Sequence, residues 1–566
     1  MIEIPTSEPA RRPKGSPFLV DSCEFTPGTA GIDYAVLDLP EDRLVDWPMV
    51  YILANEDSAY VGQTTSVTTR MTQHGASAEK QQFTSATVIY NDQFNASVIT
   101  DYEHRLISLM HADGRYRLTN RNDGMTATNY FSKAEYDKMF GELWEELRTL
   151  ELAEHTIDEL EESEVFRYSP FKGLNTEQRV ALDEIMGAIR DGIDTAEPIV
   201  VEGKPGTGKT VLAIYLLKML RDSDEYAGLN VKILEPVTSL RKTLKTSLKN
   251  VEGLAPTDII GPYDLVKPEY GFVEGRRGCI DILLVDETHR LKRRVSLAQY
   301  GSYDKVNAKL GLDKEATQLD WVLEQAKLPI LFYDPLQSVG PSCVGAETIE
   351  SVLGSSVTTP VRLESQMRVT GGDAYLEHVR ALLDGRPSEA RKFGEYDFVL
   401  HDDFAEFVSS FEGTFGRHNL SRMIAGYAWK WVTKGRSGRA ADAEFDITID
   451  GIGLKWNCTY DNWIVRGAND PAIAHEVGCI HSIQGYDLSY AYVIVGNDLR
   501  VNPATGLLEA NKESYYDAKG SATTTPEELT EYVKNIYYVL LTRGILGTHV
   551  YVCDPVLREY FARYFS

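Results

Sequence analysis

One stretch, Pro198 to Leu220, restricts this chain more than any other: PIVVEGKPGTGKTVLAIYLLKML. Ile199, Val200 and Val201 form an apolar run that reads as a buried parallel strand, and an apolar helix is expected from Thr210 to Leu220. Between them Gly203, Pro205, Gly206, Thr207, Gly208, Lys209 and Thr210 fall in the spacing G-x-x-x-x-G-K-T. In that spacing the glycines let backbone N–H groups curl around a phosphate, and the helix N-terminus adds the positive end of its dipole. Lys209 is expected to reach the β- and γ-phosphates, and the Thr210 hydroxyl to hold Mg²⁺. The strand before and the helix after separate this motif from a chance glycine-rich turn. The chain is therefore expected to bind a nucleoside triphosphate with Mg²⁺.

At 566 residues the chain is too long for one core, and three or four domains are expected. No apolar run approaches membrane-spanning length, and the polar start MIEIPTSEPARRPKG is no signal sequence. A cytoplasmic location without a membrane partner follows as an expectation. Cys23, Cys279, Cys343, Cys458, Cys479 and Cys553 are scattered without a C-x-x-C pair, which argues against a disulfide framework or a zinc site. The formal net charge of −26 matters most: a nucleic-acid site here must be a confined basic channel on a repelling body.

The expected fold class is α/β. Residues 1–45, with Arg11, Arg12 and Lys14, read as a loose arm. A small α/β domain is expected over 46–135. Strands Val50–Leu53 and Ala59–Gly62 flank a turn at Asn55-Glu56-Asp57, a helical segment passes through Arg70 and His74, and a strand follows at Thr87–Tyr90. A helix from Asn95 to His111 buries Val98, Tyr102, Leu106 and Leu109 by its spacing. Residues 136–168 are acidic and read as a solvated linker helix. Strands then alternate with helices, at Ile199–Val201, Val231–Leu234, Ile282–Val285, Ile330–Tyr333, Tyr492–Val495 and Val550–Val552. That alternation implies parallel sheets with helices on both faces, in two lobes over 169–360 and 361–566.

The run Asp281 to His289 is an apolar strand ending in adjacent carboxylates. At the carboxyl end of a parallel sheet it sets Asp286 beside Mg²⁺ and Glu287 beside an attacking water. Gln337, after the strand ending at Tyr333, is placed to sense the γ-phosphate or orient that water. After Val231–Leu234 come Thr238 and Ser239, and then Arg241, Lys245 and Lys249 on one helical face, with Leu240, Leu244 and Leu248 on the buried one. Arg276-Arg277 and Lys292-Arg293-Arg294 are candidate walls of a basic channel. Trp429, Trp456 and Trp463 read either as core or as base-stacking rings.

In this order the motifs resemble superfamily-1 helicases over about residues 170–566. Leu174-Asn175-x-x-Gln178 is similar to their adenine-reading motif, and Leu363-x-x-Gln366-Met367-Arg368 to the motif that carries an arginine finger. Ile480-His481-Ser482-Ile483-Gln484-Gly485 is similar to the motif coupling nucleic acid to ATP, and Tyr538 to Arg543 to their last motif, with a second finger. The resemblance implies two RecA-like lobes, with Arg368 and Arg543 meeting the charge that spreads over the γ-phosphoryl oxygens. It also implies single-strand contacts at Thr238, Ser239, Arg241, Lys245, Lys249 and His481. More narrowly, Arg422 to Trp429 with Lys455-Trp456-Asn457 resembles a bacterial ATPase family related to the Schlafen helicase domain.

Upstream, Met49-Val50-Tyr51, Ala59 to Thr64, Arg70, His74, Glu103 and Asn120 resemble the GIY-YIG nuclease domain over about residues 47–130. Met49 stands where that family has glycine, and Tyr60-Val61-Gly62 stands for its second motif. The resemblance implies that Glu103 holds Mg²⁺ or Mn²⁺ and that Tyr51 helps activate water. Tyr60, Arg70 and His74 position it and stabilise charge, and Asn120 closes the site. A module that grips nucleic-acid ends without cutting is the competing reading. The function expected is an ATP-dependent helicase or translocase on single-stranded nucleic acid, coupled to an endonuclease acting on duplex or branched DNA, in defence or repair. The alternative is an ATP-gated nuclease or switch without translocation, with RNA as a substrate that no residue excludes.

Overall fold

The computed structural model describes residues 17–120, 130–161, 163–171, 173–194, 196–226, 228–249, 251–297, 299–353, 360–364, 366, 369–388, 392–434, 444–459, 463–483 and 485–565. Packing divides the chain into two compact units: residues 1–176 with 214–228 and 244–256, and residues 177–213 with 229–243 and 257–566.

The first unit is built on five strands, β1 (Leu19–Glu24), β2 (Met49–Ala54), β3 (Ser58–Thr64), β4 (Ser85–Tyr90) and β5 (Arg117–Leu118), in the order β1-β4-β2-β3-β5. The expected hairpin is β2–β3, paired antiparallel with Leu53 opposite Tyr60. Its turn is closed by Asn55, whose Oδ1 accepts from the Asp57 and Ser58 amides at 2.9 and 2.7 Å, the local mimicry that suits Asn to turns. Helix Ala96–Asp113 starts where Asn95 caps the Ser97 and Val98 amides, and buries Val98, Tyr102, Leu106 and Leu109 as its spacing predicts.

Two expectations in this unit are corrected. The arm over 1–45 is, from residue 17 on, part of the domain: β1 pairs antiparallel with β4, and Phe25, Ile32, Leu37 and Leu44 enter the core. The strand covers the edge that β4 would otherwise expose. Arg11, Arg12 and Lys14 lie outside the described residues. Nor is the acidic segment a solvated linker. Helix Lys133–Thr149 buries Phe140, Leu143, Trp144 and Leu147, an i, i+3, i+4, i+7 stripe that decides its packing despite the charges on its other face. Tyr102 donates to the Tyr136 carbonyl at 2.7 Å, and Trp144 Nε1 to that of His155 at 3.0 Å.

The second unit holds two parallel sheets. β6 (Ile199–Gly203), β7 (Val231–Leu234), β8 (Ile259–Ile260), β9 (Ile280–Val285), β10 (Ala326–Tyr333) and β11 (Val361–Leu363) form one, in the order β11-β6-β10-β9-β7-β8. β12 (Asp397–His401), β13 (Arg422–Ala425), β16 (Leu488–Val495) and β19 (Gly544–Val552) form the other, in the order β12-β19-β16-β13. Small hairpins, β14 (Ile447–Ile449) with β15 (Ile452–Leu454) and β17 (Leu499–Val501) with β18 (Leu508–Ala510), complete the strand set among the described residues. Parallel strands covered on both faces are near-continuous apolar runs, which is why the six expected strands all appear. β8, β11, β12 and β13 were not expected. β11 pairs with β6, so the first sheet extends to Leu363, past the expected boundary at 360. Among the described residues no helix is long and apolar enough to cross a membrane.

Trp144→Ala should destabilise the first unit by about 3–5 kcal/mol, read as an earlier urea-unfolding transition. An unshifted transition would restore the segment to a linker.

Candidate nucleotide site and nucleic-acid cleft

β6 ends at Gly203, and helix Lys209–Asp222 begins after a five-residue loop. Gly206 and Gly208 take φ of +82° and +79°, backbone that side-chain-bearing residues adopt only at a cost. Lys209 is buried, and its Nζ donates to the carbonyls of Gly203 at 2.6 Å and Lys204 at 3.0 Å. Gln178, fully buried, donates Nε2 to the Thr207 carbonyl at 3.0 Å and so braces the loop.

Asp286 and Glu287 follow β9. Thr210 hydrogen-bonds the Asp286 carboxylate, whose Oδ1 also accepts from the Glu287 amide at 3.0 Å. Its Oδ2 is buried and has no hydrogen-bond partner among the described residues. Burial first, and then the Glu287 charge, push the Asp286 carboxyl up to about 7. Glu287 has left-handed backbone, φ +44°, strain of the kind that persists where surrounding structure demands it. Burial opposes its ionisation, but His289, 2.8 Å away, with Lys209 and Arg543, holds its carboxyl below the ordinary range. Glu235, buried at the end of β7, goes the other way: burial, Asp286 and Glu287 push it well above the carboxylate range. An orphaned carboxylate oxygen beside a threonine hydroxyl at a helix N-terminus fits Mg²⁺ on a nucleotide phosphate.

A chain of contacts joins this loop to the second sheet. Asp334, fully buried, lies 3.8 Å from Lys209 Nζ and accepts from Gln337 Nε2 at 2.6 Å. Gln337 Oε1 accepts from Arg543 Nη2 at 2.9 Å, and Arg543 Nη1 donates to the Tyr486 carbonyl at 3.1 Å. Arg543 precedes β19 and is 1% exposed.

Beside it runs a cleft of about 520 Å³, lined from one side by Thr238, Ser239, Arg290 and Lys292 and from the other by Tyr427 and His481. Arg290 Nη2 is 3.1 Å from His481 Nδ1. Arginine only donates, so Nδ1 accepts. His481 keeps an exposed edge, yet crowding by the cleft wall, with Arg290 and Lys292, presses its imidazole toward the neutral form.

In the first unit Tyr51 Oη meets His74 Nε2 at 2.7 Å, and the Tyr60 ring lies 6.3 Å from that of Tyr51 and 5.6 Å from that of His74. Gly62 makes the room: a Cβ there would come within 2.3 Å of Tyr51 Oη, were it built. Burial, and then Lys80 and Arg70, lower His74 to about 4, while burial raises the Tyr51 phenol. Glu103 is buried and its charge reaches Tyr51; Arg70 is exposed. Asn120 bonds both backbone groups of Val61, at 3.1 and 2.8 Å, pinning its own segment to β3.

A family model described as Schlafen group 3, DNA/RNA helicase domain, matches residues 197–554. The chain belongs to this Schlafen family. The match takes in both parallel sheets and begins downstream of the tyrosine–histidine cluster. An uncharacterised Saccharomyces cerevisiae protein, YPL245W, is 23% identical over an alignment 426 positions long that covers 69% of this chain and 90% of that one. Among solved structures, arterivirus nonstructural protein 10, a helicase, is 13% identical with a TM-score of 0.28, over 66% of this chain and 64% of that one. The Pif1 helicase of Candida albicans is 12% identical with a TM-score of 0.28, over 69% and 99%.

The 203–210 loop, Asp286, Glu287, Gln337 and Arg543 of the Schlafen helicase domain thus come together, and Gln178, upstream of the matched residues, braces the loop from outside. Arg368, Met367 and Gln484 lie outside the described residues. Arg241 does not line the cleft: its guanidinium turns back to the Glu235 carbonyl at 2.5 Å and the Thr238 hydroxyl at 3.3 Å. Lys245 is half-buried and Lys249 exposed, and both belong to the other unit. Of the candidate walls, only Lys292 lines the cleft among the described residues; Arg277 pairs with Glu324 and Arg294 with Asp304. Trp456 and Trp463 are core, and Trp429 is half-buried. Asp334, Arg290, Tyr427, Glu235 and Lys80 were missed. Asp334 and Arg290 stand within three residues of residues already singled out, and that proximity was a usable signal. Lys80, with Nζ 3.2 Å from the Tyr60 ring centre, had none.

A double-mutant cycle on Arg543→Ala and Gln337→Ala should give a coupling of about 1.5–3 kcal/mol in unfolding free energy. Additive effects would mean that the contact does not hold the two sheets.

Proposed function

We propose that the chain is an ATP-driven motor of helicase type that acts on single-stranded nucleic acid. One observation carries this reading: the contact chain Lys209–Asp334–Gln337–Arg543, which runs from the phosphate loop to the second sheet. Thr210 and Asp286 would hold Mg²⁺, which neutralises charge on the β- and γ-phosphates when bound. Lys209 exchanges the Gly203 and Lys204 carbonyls for phosphate oxygens, and Gln178 sets the loop beneath the base. Glu287, kept ionised, orients the attacking water. Arg543, with Arg368 as the companion finger, meets the charge that develops on the γ-phosphoryl group. Hydrolysis then loosens the hold of Arg543, and the cleft between the sheets changes its grip on phosphates at Thr238, Ser239, Arg290 and Lys292.

Lys209→Ala should abolish phosphate release. Arg543→Ala should lower kcat by on the order of 10³ while ATP still binds. Arg290→Ala should remove the stimulation of turnover by oligo(dT) or oligo(U). Turnover that neither oligonucleotide raises in wild type would make the ATPase a switch rather than a motor.

A second reading concerns the first unit. The 2.7 Å contact of Tyr51 with His74, beside Tyr60 and Glu103, supports a nuclease of GIY-YIG type that cuts DNA supplied by the motor. Neutral His74 accepts a hydrogen bond from the Tyr51 phenol and so holds the hydroxyl oxygen toward a water that it orients. Foreign-DNA defence or repair in the cytoplasm is the setting this pairing suits. With Mg²⁺ or Mn²⁺, plasmid should be nicked by wild type and spared by Tyr51→Phe and Glu103→Ala. Equal nicking by all three would leave a binding module.

A further inference from the structure

Residues 290–293 and 342–344 run antiparallel, with Val344 N donating to the Leu291 carbonyl at 2.8 Å and Arg293 N to that of Ser342 at 2.9 Å. The register sets Cys343 opposite Lys292. Lys292 Nζ lies 3.5 Å from the Cys343 sulfur and Arg290 Nη1 4.0 Å from it, and all three residues line the cleft. Arg290 is 7% exposed, and its Nε has no hydrogen-bond partner among the described residues. A buried guanidinium with a donor to spare, next to an ammonium and a thiol, is a ready seat for an anionic oxygen.

Four of the other thiols differ. Burial pushes Cys23 up to about 11 and Cys553 up to about 12, and raises Cys458 and Cys479. At Cys343 burial acts the same way, but Lys292 and Arg290 outweigh it and lower the thiol.

We propose that Cys343 is a hydroperoxide-sensitive thiol whose oxidation shuts the cleft to single-stranded nucleic acid. The second half of that statement rests on the motor reading above. The sulfur attacks one peroxide oxygen; the S–O bond forms as the O–O bond breaks, and two electrons pass from sulfur to the peroxide. The departing oxygen leaves as hydroxide, or alkoxide, and takes a proton. The new sulfenic oxygen accepts from Lys292 and Arg290, the cations a phosphate would otherwise use.

The test treats the full chain with hydrogen peroxide, then unfolds and alkylates it, and reads the alkylatable fraction at each cysteine by mass spectrometry. Parallel samples report polarisation of a fluorescent oligo(dT) or oligo(U), before peroxide, after it, and after dithiothreitol. Cys343 should lose its thiol before the exposed Cys458, and more slowly in Lys292→Met. Oligonucleotide binding should be lost on oxidation and regained on reduction in wild type, with no such loss in Cys343→Ser. Oxidation of Cys343 no faster than of Cys458 overturns the proposal outright. Oxidation of Cys343 with binding intact overturns the gating. If untreated protein binds neither oligonucleotide, the motor reading fails and the gating falls with it, while the order of thiol loss still decides the reactivity of Cys343.

Discussion

A buried guanidinium obliges its surroundings. Arg543 has almost no exposure, so every donor it leaves unpaired costs more than a surface arginine would lose. Among its acceptors are the Gln337 amide and the Tyr486 carbonyl, one from each side of the cleft between the sheets. Separating the sheets would strip Gln337 from it, and would strip Asp334 of the order that Gln337 imposes. Arg543 shares that work with Arg290 against His481, Asn535 against the Ser338 carbonyl, and Val339 and Leu336 packed into the second sheet's core. A polar latch of this kind can be reset by a competing anion, which an apolar seam cannot.

The charge pattern follows the same logic at a larger scale. The chain repels polyanions overall, with a formal charge of −26, yet Arg290 and Lys292 face a common cleft. Three carboxylates, Glu235, Asp286 and Glu287, crowd the strand ends of the first sheet, and they do not share one state. Glu287 is held ionised by His289 and the nearby cations, while Glu235 is pushed the other way by burial and its two neighbours. Crowded like charges in a low-dielectric site divide in this way because ionising all three would cost too much.

How much of this was legible beforehand depends on how local each determinant is. The phosphate loop was read residue by residue, because its geometry is encoded in eight consecutive positions. The first sheet was legible where strands were apolar throughout, at Ile199–Val201 and Ile282–Val285, and illegible where pairing was short, at Ile259–Ile260. Residues 19–24 alternate Leu19, Asp21, Cys23 with Val20, Ser22, Glu24 amid prolines and glycines, and only the exposed edge of β4 explains why they fold. The acidic helix hid its apolar stripe behind a charge count. Arg241 marks another limit: helical phase gave its face correctly, but not that a neighbouring carbonyl would take up its guanidinium. The Lys209 to Arg543 relay joins residues over three hundred positions apart, which no local pattern encodes.

β11 adds a leash. It belongs to the first sheet, yet seven residues past Leu363 the amide of Thr370 donates to the Ile545 carbonyl in the second. Seven residues span about 25 Å when fully drawn out. The two sheets can therefore part only within that reach, and Arg543 stays at an effective concentration in the millimolar range, roughly, for Gln337. Re-forming that contact after any separation would then be a first-order event, indifferent to how dilute the protein is.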